Sequence, residues 1–128
     1  MPAIQGAVVS GLGEGKMFLS MRQYMNQLIK KLGFEPFEGT LNLKVNEKEK
    51  SEYFKNGNII IIDGFKAESR NFGKVYCVLS EINGIKGAAI NPEKTARKDI
   101  VEFIAPVGLR KELNLKDGDK VTVTTIEA

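Results

Sequence analysis

KVYCVLSEINGIKGAAI, residues 74–90, contains two apolar segments separated by an Asn-Gly pair. The segments run from Lys74 to Ile82 and from Ile85 to Ile90. Asn83-Gly84 between them is typical of a two-residue β-hairpin turn, because both residue types tolerate a positive φ. The stretch therefore predicts a β-hairpin, and further short strands are predicted on both sides of it.

Five other segments have the length and composition of short strands: Ile4 to Val9, Thr40 to Val45, Ile59 to Ile62, Ile100 to Ile104 and Val121 to Ile126. In the second of these, apolar and polar residues alternate strictly, as in a half-buried strand. Leu41, Leu43 and Val45 are therefore expected to face the core, and Thr40, Asn42 and Lys44 to share the opposite face.

Two helices are predicted between these strands. The long one has Ser20 as its N-cap, an apolar face, and Gly33 just after its C-terminus. The short one covers Leu109 to Leu113. Residues 46–58 carry charges of both signs and are predicted to be a solvated connection. Many short strands with one long helix favour a closed β-barrel over an alternating α/β sheet.

The composition limits the class of protein. With 128 residues, 42% of them hydrophobic and 27% charged, the chain fits a single globular domain. Its one cysteine, Cys77, rules out an internal disulfide and is expected to be a buried thiol. Neither a signal peptide nor an apolar run of the roughly 18 residues that span a bilayer is present, which predicts a cytoplasmic protein.

The absence of histidine limits the chemistry. It excludes Ser-His-Asp and Cys-His nucleophiles and zinc sites that use histidine. Catalysis would have to rely on carboxylates, hydroxyls, lysine, arginine, or a hard metal ion held by oxygen atoms. The net charge of +3 suits a polyphosphate ligand, and it would equally suit nucleic acid.

A glycine-dense loop follows the first strand and consists of Gly11, Leu12, Gly13, Glu14, Gly15 and Lys16. Glycines let backbone N–H groups approach phosphate oxygens closely, and the lysine adds a positive charge. The spacing matches neither the Walker A motif nor the Rossmann fingerprint. A phosphate-binding loop and a plain connection between strand and helix both remain open.

Polar residues in three other places are candidates for a site. Thr40 and Asn42 lie on one face of a strand, about 7 Å apart at Cα, and their oxygens suit Mg²⁺. Glu102, inside an apolar strand, and Thr95 before it form the second place. Val107-Gly108-Leu109-Arg110, where the short helix begins, offers N–H groups and a guanidinium to an anion. Each also has a simpler interpretation as exposed polar surface.

Taken together and in this order, these motifs resemble those of a known protein family. The glycine loop is followed by LGFEPFEGTLNL (residues 32–43), then by IAP (104–106) and LR (109–110), and finally by LKDGD (115–119). This series resembles the archaeal CTP-dependent riboflavin kinases over the whole chain. The LGFEPFEGTLNL segment is specific, whereas LKDGD recurs in other small barrels.

The resemblance implies a six-stranded cradle-loop barrel that converts riboflavin and CTP to FMN and CDP with Mg²⁺. It implies nucleotide binding by residues 11–16 and 107–110, Mg²⁺ binding by Thr40 and Asn42, and flavin contact by Thr95 and Glu102. Glu102 would orient the ribityl hydroxyl or act as a weak base. Some members carry an N-terminal helix-turn-helix domain. Here the chain is expected to be one barrel domain without that addition, and a monomer that binds neither nucleic acid nor membrane.

Two other functions stay open at this level. A nucleic-acid-binding barrel of the swapped-hairpin type fits the net charge and the LKDGD segment, but it leaves the glycine loop and the Thr-Leu-Asn face unexplained. A flavin-binding barrel without kinase activity would bind flavin regardless of CTP and magnesium. The choice of CTP over ATP follows from the resemblance alone.

Overall fold

The computed structural model describes residues 2–11, 18–94 and 97–126. In this part of the chain the strands are β1 (Ala3–Val9), β2 (Leu41–Lys44), β3 (Ile59–Ile62), β4 (Phe65–Ala67), β5 (Arg70–Phe72), β6 (Val75–Ile82), β7 (Ile85–Pro92), β8 (Ile100–Ile104) and β9 (Lys120–Thr125). The helices are α1 (Arg22–Leu32), α2 (Glu47–Asn56) and α3 (Leu109–Glu112).

Six of these strands close into an antiparallel barrel in the order β6-β7-β8-β2-β1-β9. Closure occurs where Ser80 and Glu81 of β6 pair with Thr125 and Thr124 of β9. The first half of β6 pairs instead with β3, which extends the sheet outside the barrel. The predicted six-stranded closed barrel is therefore confirmed.

The hairpin at the centre of the prediction is also confirmed. Strands β6 and β7 pair over their whole lengths, from Val75 opposite Pro92 to Ile82 opposite Ile85. The turn residues Asn83 and Gly84 have φ values of 49° and 81°. Positive φ at both central residues matches the right-handed twist of the strands, which is why this dipeptide closes the hairpin.

Two apolar layers hold the fold together. The barrel interior is filled from all sides by residues such as Val8, Leu43, Ala89, Val101 and Phe103. A second layer lies between the outside of the barrel and α1, and it includes Leu28, Ile62, Cys77, Ile90 and Ile104. Because β8 contributes to both layers, all five of its residues are buried.

Helix α1 ends as predicted but begins one residue later than predicted. Gly33 has φ 83° and its N–H bonds to the carbonyl of Ile29, so it caps the C-terminus in the left-handed conformation. Met21, rather than Ser20, is the N-cap residue. Its carbonyl accepts the first helical hydrogen bond, from the Met25 N–H. The prediction of Ser20 as N-cap is therefore wrong by one position.

Residues 46–58 are not an irregular connection, because most of them form α2. Asn46 caps this helix by accepting a hydrogen bond from the Glu49 N–H at 3.0 Å. Lys50, Tyr53 and Phe54 are buried at helical spacing. Two aromatic rings suffice to dock the helix, and the many charges around them obscured this short apolar stripe in the sequence.

Polar side chains of α1 cover backbone groups at the end of β3. Lys31 Nζ donates to the Ile61 carbonyl at 2.8 Å. Gln27 accepts from the Asp63 N–H at 2.7 Å and donates to the Asp63 carbonyl at 3.0 Å. Two helical side chains thus bond backbone atoms that a further strand would otherwise take. In the described part of the chain, no helix is long and apolar enough to cross a membrane.

The predicted burial of Cys77 is confirmed and leads to a prediction about its reactivity. Cys77 is fully buried under α1, and burial raises the pKa of its thiol to about 12. Since the thiolate is the reactive species, the folded protein should react with a maleimide at pH 8 roughly a hundredfold more slowly than the unfolded protein. Mass spectrometry of timed samples with and without guanidinium measures both rates. Equal rates would contradict this burial.

Candidate active site

Three of the polar residues predicted for a site, Thr40, Asn42 and Glu102, meet on the outer face of the barrel. Val9 of β1 is opposite Asn42 of β2, Asn42 is opposite Glu102 of β8, and Glu102 is opposite Ile90 of β7. Directly opposed residues of neighbouring strands project to the same face of a sheet. Asn42 and Glu102, far apart in sequence, are therefore neighbours in a row that continues into the apolar layer under α1.

Thr40, Asn42 and Glu102 form one polar cluster. The Thr40 hydroxyl donates a hydrogen bond to Glu102 Oε1 at 3.0 Å, and the Asn42 amide nitrogen lies 3.5 Å from Thr40 Oγ1. Asn42 and Glu102 are only 7% and 6% exposed. Because the Thr40 proton is directed to the carboxylate, its hydroxyl oxygen acts as an acceptor: the Asn42 amide nitrogen donates to it, and one lone pair remains for another partner.

The entrance to the glycine loop passes directly over Asn42. A Cβ atom placed on Gly11 would lie 2.9 Å from Asn42 Nδ2, closer than carbon atoms normally approach. A larger residue at position 11 would displace the Asn42 amide, whereas glycine leaves it in place. Leu12, Gly13, Glu14, Gly15 and Lys16, also predicted to bind nucleotide, lie outside the described residues, as does Thr95.

The oxygen atoms of this cluster fit a hard divalent cation. Adjacent ligands of octahedral Mg²⁺ are about 2.9 Å apart. Thr40 Oγ1 lies 3.5 Å from the Asn42 amide nitrogen, which is a hydrogen-bond donor and not a metal ligand. A half-turn of that amide would bring Oδ1 to the side facing Thr40. Among residues 2–11, 18–94 and 97–126, no three His, Cys, Asp or Glu residues form a group that could hold a metal. A cation here would need further ligands from a bound substrate.

The segment from Val107 to Arg110 lines a cavity beside Thr40. This cavity has a volume of about 270 Å³ and is walled by Phe37, Thr40, Phe103, Gly108 and Arg110 among others. Phe37 is 52% exposed, and its ring packs so close to Gly108 that a Cβ there would lie 3.1 Å from the ring. Phe37 was not among the predicted site residues, although it stands only three positions before Thr40 in the sequence.

Arg110 connects the end of β1 with the turn before β9. Its guanidinium donates to the Val9 carbonyl at 3.0 Å and pairs with the Asp117 carboxylate. Ser10 donates to the same carboxylate at 2.7 Å. Both hydrogen bonds lower the pKa of Asp117, and the bond from Arg110 has the larger effect. Arg110 thereby holds Val9 and Ser10 next to residues 107–110. Val9 and Ser10 in turn lead into the glycine loop.

An aromatic cavity of about 290 Å³ lies further along the same outer face. Its walls include Phe18, Tyr24, Phe72, Pro92 and Lys94. Pro92 projects to the same face as Ile90, so it is a diagonal neighbour of Glu102, about 7–8 Å away. Its aromatic residues come from three separate segments, so no single stretch of sequence indicates this cavity.

Lys50 of α2 fixes the chain just before β8. Its Nζ is buried and donates to the carbonyls of Ile100 at 2.7 Å and Arg97 at 3.2 Å. Burial lowers the pKa of Lys50, while the negative charges of Glu102 and Asp99 act in the opposite direction. The lysine therefore ties the segment from Arg97 to Ile100 to the helix, two residues before the carboxylate of the cluster.

Comparison with known proteins gives consistent matches over almost the whole chain. The protein-family model CTP-dep_RFKase, described as "Domain of unknown function DUF120", matches residues 8–125. A protein named riboflavin kinase from Methanocella arvoryzae is 42% identical over 125 residues, which cover 96% of this chain and 56% of the relative. Another of that name from Archaeoglobus fulgidus is 44% identical over 128 residues, 96% of this chain and 54% of the relative.

A third relative is shorter. The riboflavin kinase of Ignicoccus hospitalis is 42% identical over 126 residues, which cover 94% of this chain and 69% of the relative. The chain thus spans little more than half the length of the first two relatives and about two thirds of the third.

Proposed function

The chain belongs to the CTP-dependent riboflavin kinase family, and from this premise we propose that it transfers the terminal phosphate of CTP to the ribityl 5′-hydroxyl of riboflavin, giving FMN and CDP. The observation that carries the proposal is the cluster of Thr40, Asn42 and Glu102 beneath the start of the glycine loop. Relatives that share over 40% of the sequence are named riboflavin kinases, which supports the choice of substrate.

Mg²⁺ is the proposed cofactor, held by Thr40 and Asn42. Bound there, it would offset the negative charge of the nucleotide phosphates. Both protein ligands are neutral, so little protein charge is available to hold the cation alone. We therefore assign the remaining ligands to the nucleotide and to water, and expect the cation to bind together with the nucleotide.

The nucleotide is assigned to residues 11–16 and to Val107–Arg110. The bonds of Arg110 to Val9 and Asp117 support a single site, because they hold the start of the loop beside the second segment. The cavity that Phe37 shares with Thr40 opens next to the proposed metal ligands. Its mainly apolar walls suit the planar base of a nucleotide.

Riboflavin is assigned to the aromatic cavity formed by Phe18, Tyr24 and Phe72. These rings suit the flat isoalloxazine group, and the cavity of about 290 Å³ has room for it. The separation between Pro92 and Glu102 is one that a five-carbon ribityl chain can bridge. Thr95, the other proposed flavin contact, follows Lys94 in the sequence, and Lys94 lines this cavity.

Glu102 is assigned the task of orienting the ribityl hydroxyl. The hydroxyl oxygen attacks the terminal phosphorus, the bond from that phosphorus to the bridging oxygen breaks so that CDP leaves, and the hydroxyl proton passes to solvent. The transition state is loose, so positioning contributes more than proton removal. The Thr40 hydroxyl already bonds one carboxylate oxygen, which fixes the carboxylate for a second hydroxyl.

The direct test is incubation of the protein with riboflavin, Mg²⁺ and each of the four nucleoside triphosphates, followed by chromatography. FMN and CDP are expected in equal amounts with CTP, and much less FMN with the other nucleotides. Riboflavin left unchanged under all four conditions would overturn the proposal. Salt-sensitive binding of duplex DNA in place of flavin binding would favour the nucleic-acid-binding alternative.

Asn42→Ala tests the metal assignment. The change removes one proposed ligand from the outer face without opening a cavity in the barrel interior. We expect turnover to fall more than tenfold and the Mg²⁺ concentration for half-maximal activity to rise, with the unfolding midpoint nearly unchanged. The exposed Asn58→Ala is the control and should resemble the wild type. Normal turnover and normal Mg²⁺ dependence in Asn42→Ala would refute the assignment.

Glu102→Gln separates orientation from base catalysis. Glutamine keeps an acceptor oxygen for Thr40 but cannot take a proton from the substrate. If orientation is the role, turnover falls only a few-fold, and this is the expected result. A loss of roughly a hundredfold or more, measured at saturating substrates, would instead assign Glu102 as a general base.

A further inference from the structure

A third cavity, of about 260 Å³, lies on the other side of Asn42 from Phe37. It is lined by Val9, Ser10, Asn42, Lys44, Arg97 and Ile100. The cavity therefore touches one proposed metal ligand and the residue before the glycine loop. Its two charged residues are both basic, and neither belongs to the nucleotide-binding segments proposed above.

Lys44 is placed by the same strand that carries the metal ligands. It follows Asn42 by two positions, so it projects to the same face about 7 Å further along β2. Directly opposite on β8 is Ile100, which also lines the cavity. Lys44 is exposed and lines the cavity.

Arg97 reaches the cavity from the segment that leads into β8. Its Nε donates to the Asp99 carboxylate at 3.2 Å, which orients the guanidinium plane. Its carbonyl is held by the buried Lys50, as is the carbonyl of Ile100. Because the backbone is fixed at both points, less conformational entropy is lost when a ligand binds.

The negative charge of the nucleotide phosphates indicates a role for Lys44 and Arg97. Thr40 and Asn42 are neutral, and Arg110 and Arg97 are each paired with a carboxylate, whereas the polyphosphate of a nucleotide carries several negative charges. Positive charge near the metal ligands stabilises both bound polyphosphate and the charge that spreads over the transferred group. Lys44 and Arg97 supply two positive charges in the cavity that Asn42 lines.

We propose that Lys44 and Arg97 contact the phosphates of the bound nucleotide beside Asn42. This inference rests on the proposed kinase function and adds two binding residues to it. The same cavity would also accept the phosphate of the product FMN, because the chemistry is shared. The experiment therefore measures the two ligands separately.

The test is calorimetric binding of CDP and of FMN to wild type, Arg97→Gln, Lys44→Gln and a matched control, Lys98→Gln. Lys98 is the neighbour of Arg97 and is exposed, and it lines a different groove with Glu47 and Tyr76. Arg97→Gln and Lys98→Gln remove the same charge from adjacent positions. Any difference in ligand affinity between these two variants therefore reflects a direct contact and not the long-range electrostatic potential of the protein.

Arg97→Gln and Lys44→Gln are each expected to weaken CDP binding by roughly tenfold or more, and Lys98→Gln by less than about twofold. FMN affinity should change little in all variants. Equal losses in the three variants, or no loss in the first two, would overturn the proposal. So would a loss confined to FMN, which would assign the cavity to the product phosphate.

The wild-type protein separates this inference from the proposed function. CDP binding that depends on Lys44 and Arg97, in a protein that forms no FMN from riboflavin and CTP, would support the contacts while refuting the kinase. If the wild type forms FMN but Arg97→Gln and Lys44→Gln leave the CDP affinity unchanged, the kinase function is supported and the contacts are refuted. Absence of CDP binding by the wild type would overturn both.

Discussion

The pairing of β2 with β8 is the constraint on which the proposed site depends. It sets Asn42 opposite Glu102 and brings Thr40 within hydrogen-bond distance of the carboxylate. Side chains alternate along a strand, so a slip of one residue would turn these groups into the barrel interior and bring Leu41 and Leu43 outside. The apolar residues of β2 thus specify the position of the polar ones, and closure of the barrel prevents either strand from moving independently.

Burial makes the cluster selective about its partners. A buried acceptor left without a hydrogen bond costs about 1–3 kcal/mol, and more when it is charged. The hydrogen bond from Thr40 offsets part of this cost for Glu102. Because Asn42 and Glu102 are nearly buried, few water molecules reach them, and polar groups of a bound substrate would take the place of those few. The result is a small set of fixed oxygen atoms, which suits a reaction that depends on positioning.

Much of the fold could be predicted because its signals are local. The Asn83-Gly84 turn, the alternation in β2 and the Gly33 cap each lie within a few residues. The turn between β4 and β5 was missed because Glu68 and Ser69 adopt positive φ without a glycine or asparagine to indicate it. Helix α2 was missed because its apolar stripe is short.

The site could be predicted only in part, for a related reason. The spacing of Thr40 and Asn42 is local, whereas the contact of Thr40 with Glu102 crosses 62 residues and follows from strand order, so it was not predicted. Lys44 and Arg97 carry no motif, and only the folded chain brings them to one cavity. Finally, the bonds from Gln27 and Lys31 to β3 have a consequence for behaviour at high concentration. An uncovered strand at a sheet border can recruit the same strand of another molecule, and these two side chains occupy the groups through which such stacking would start.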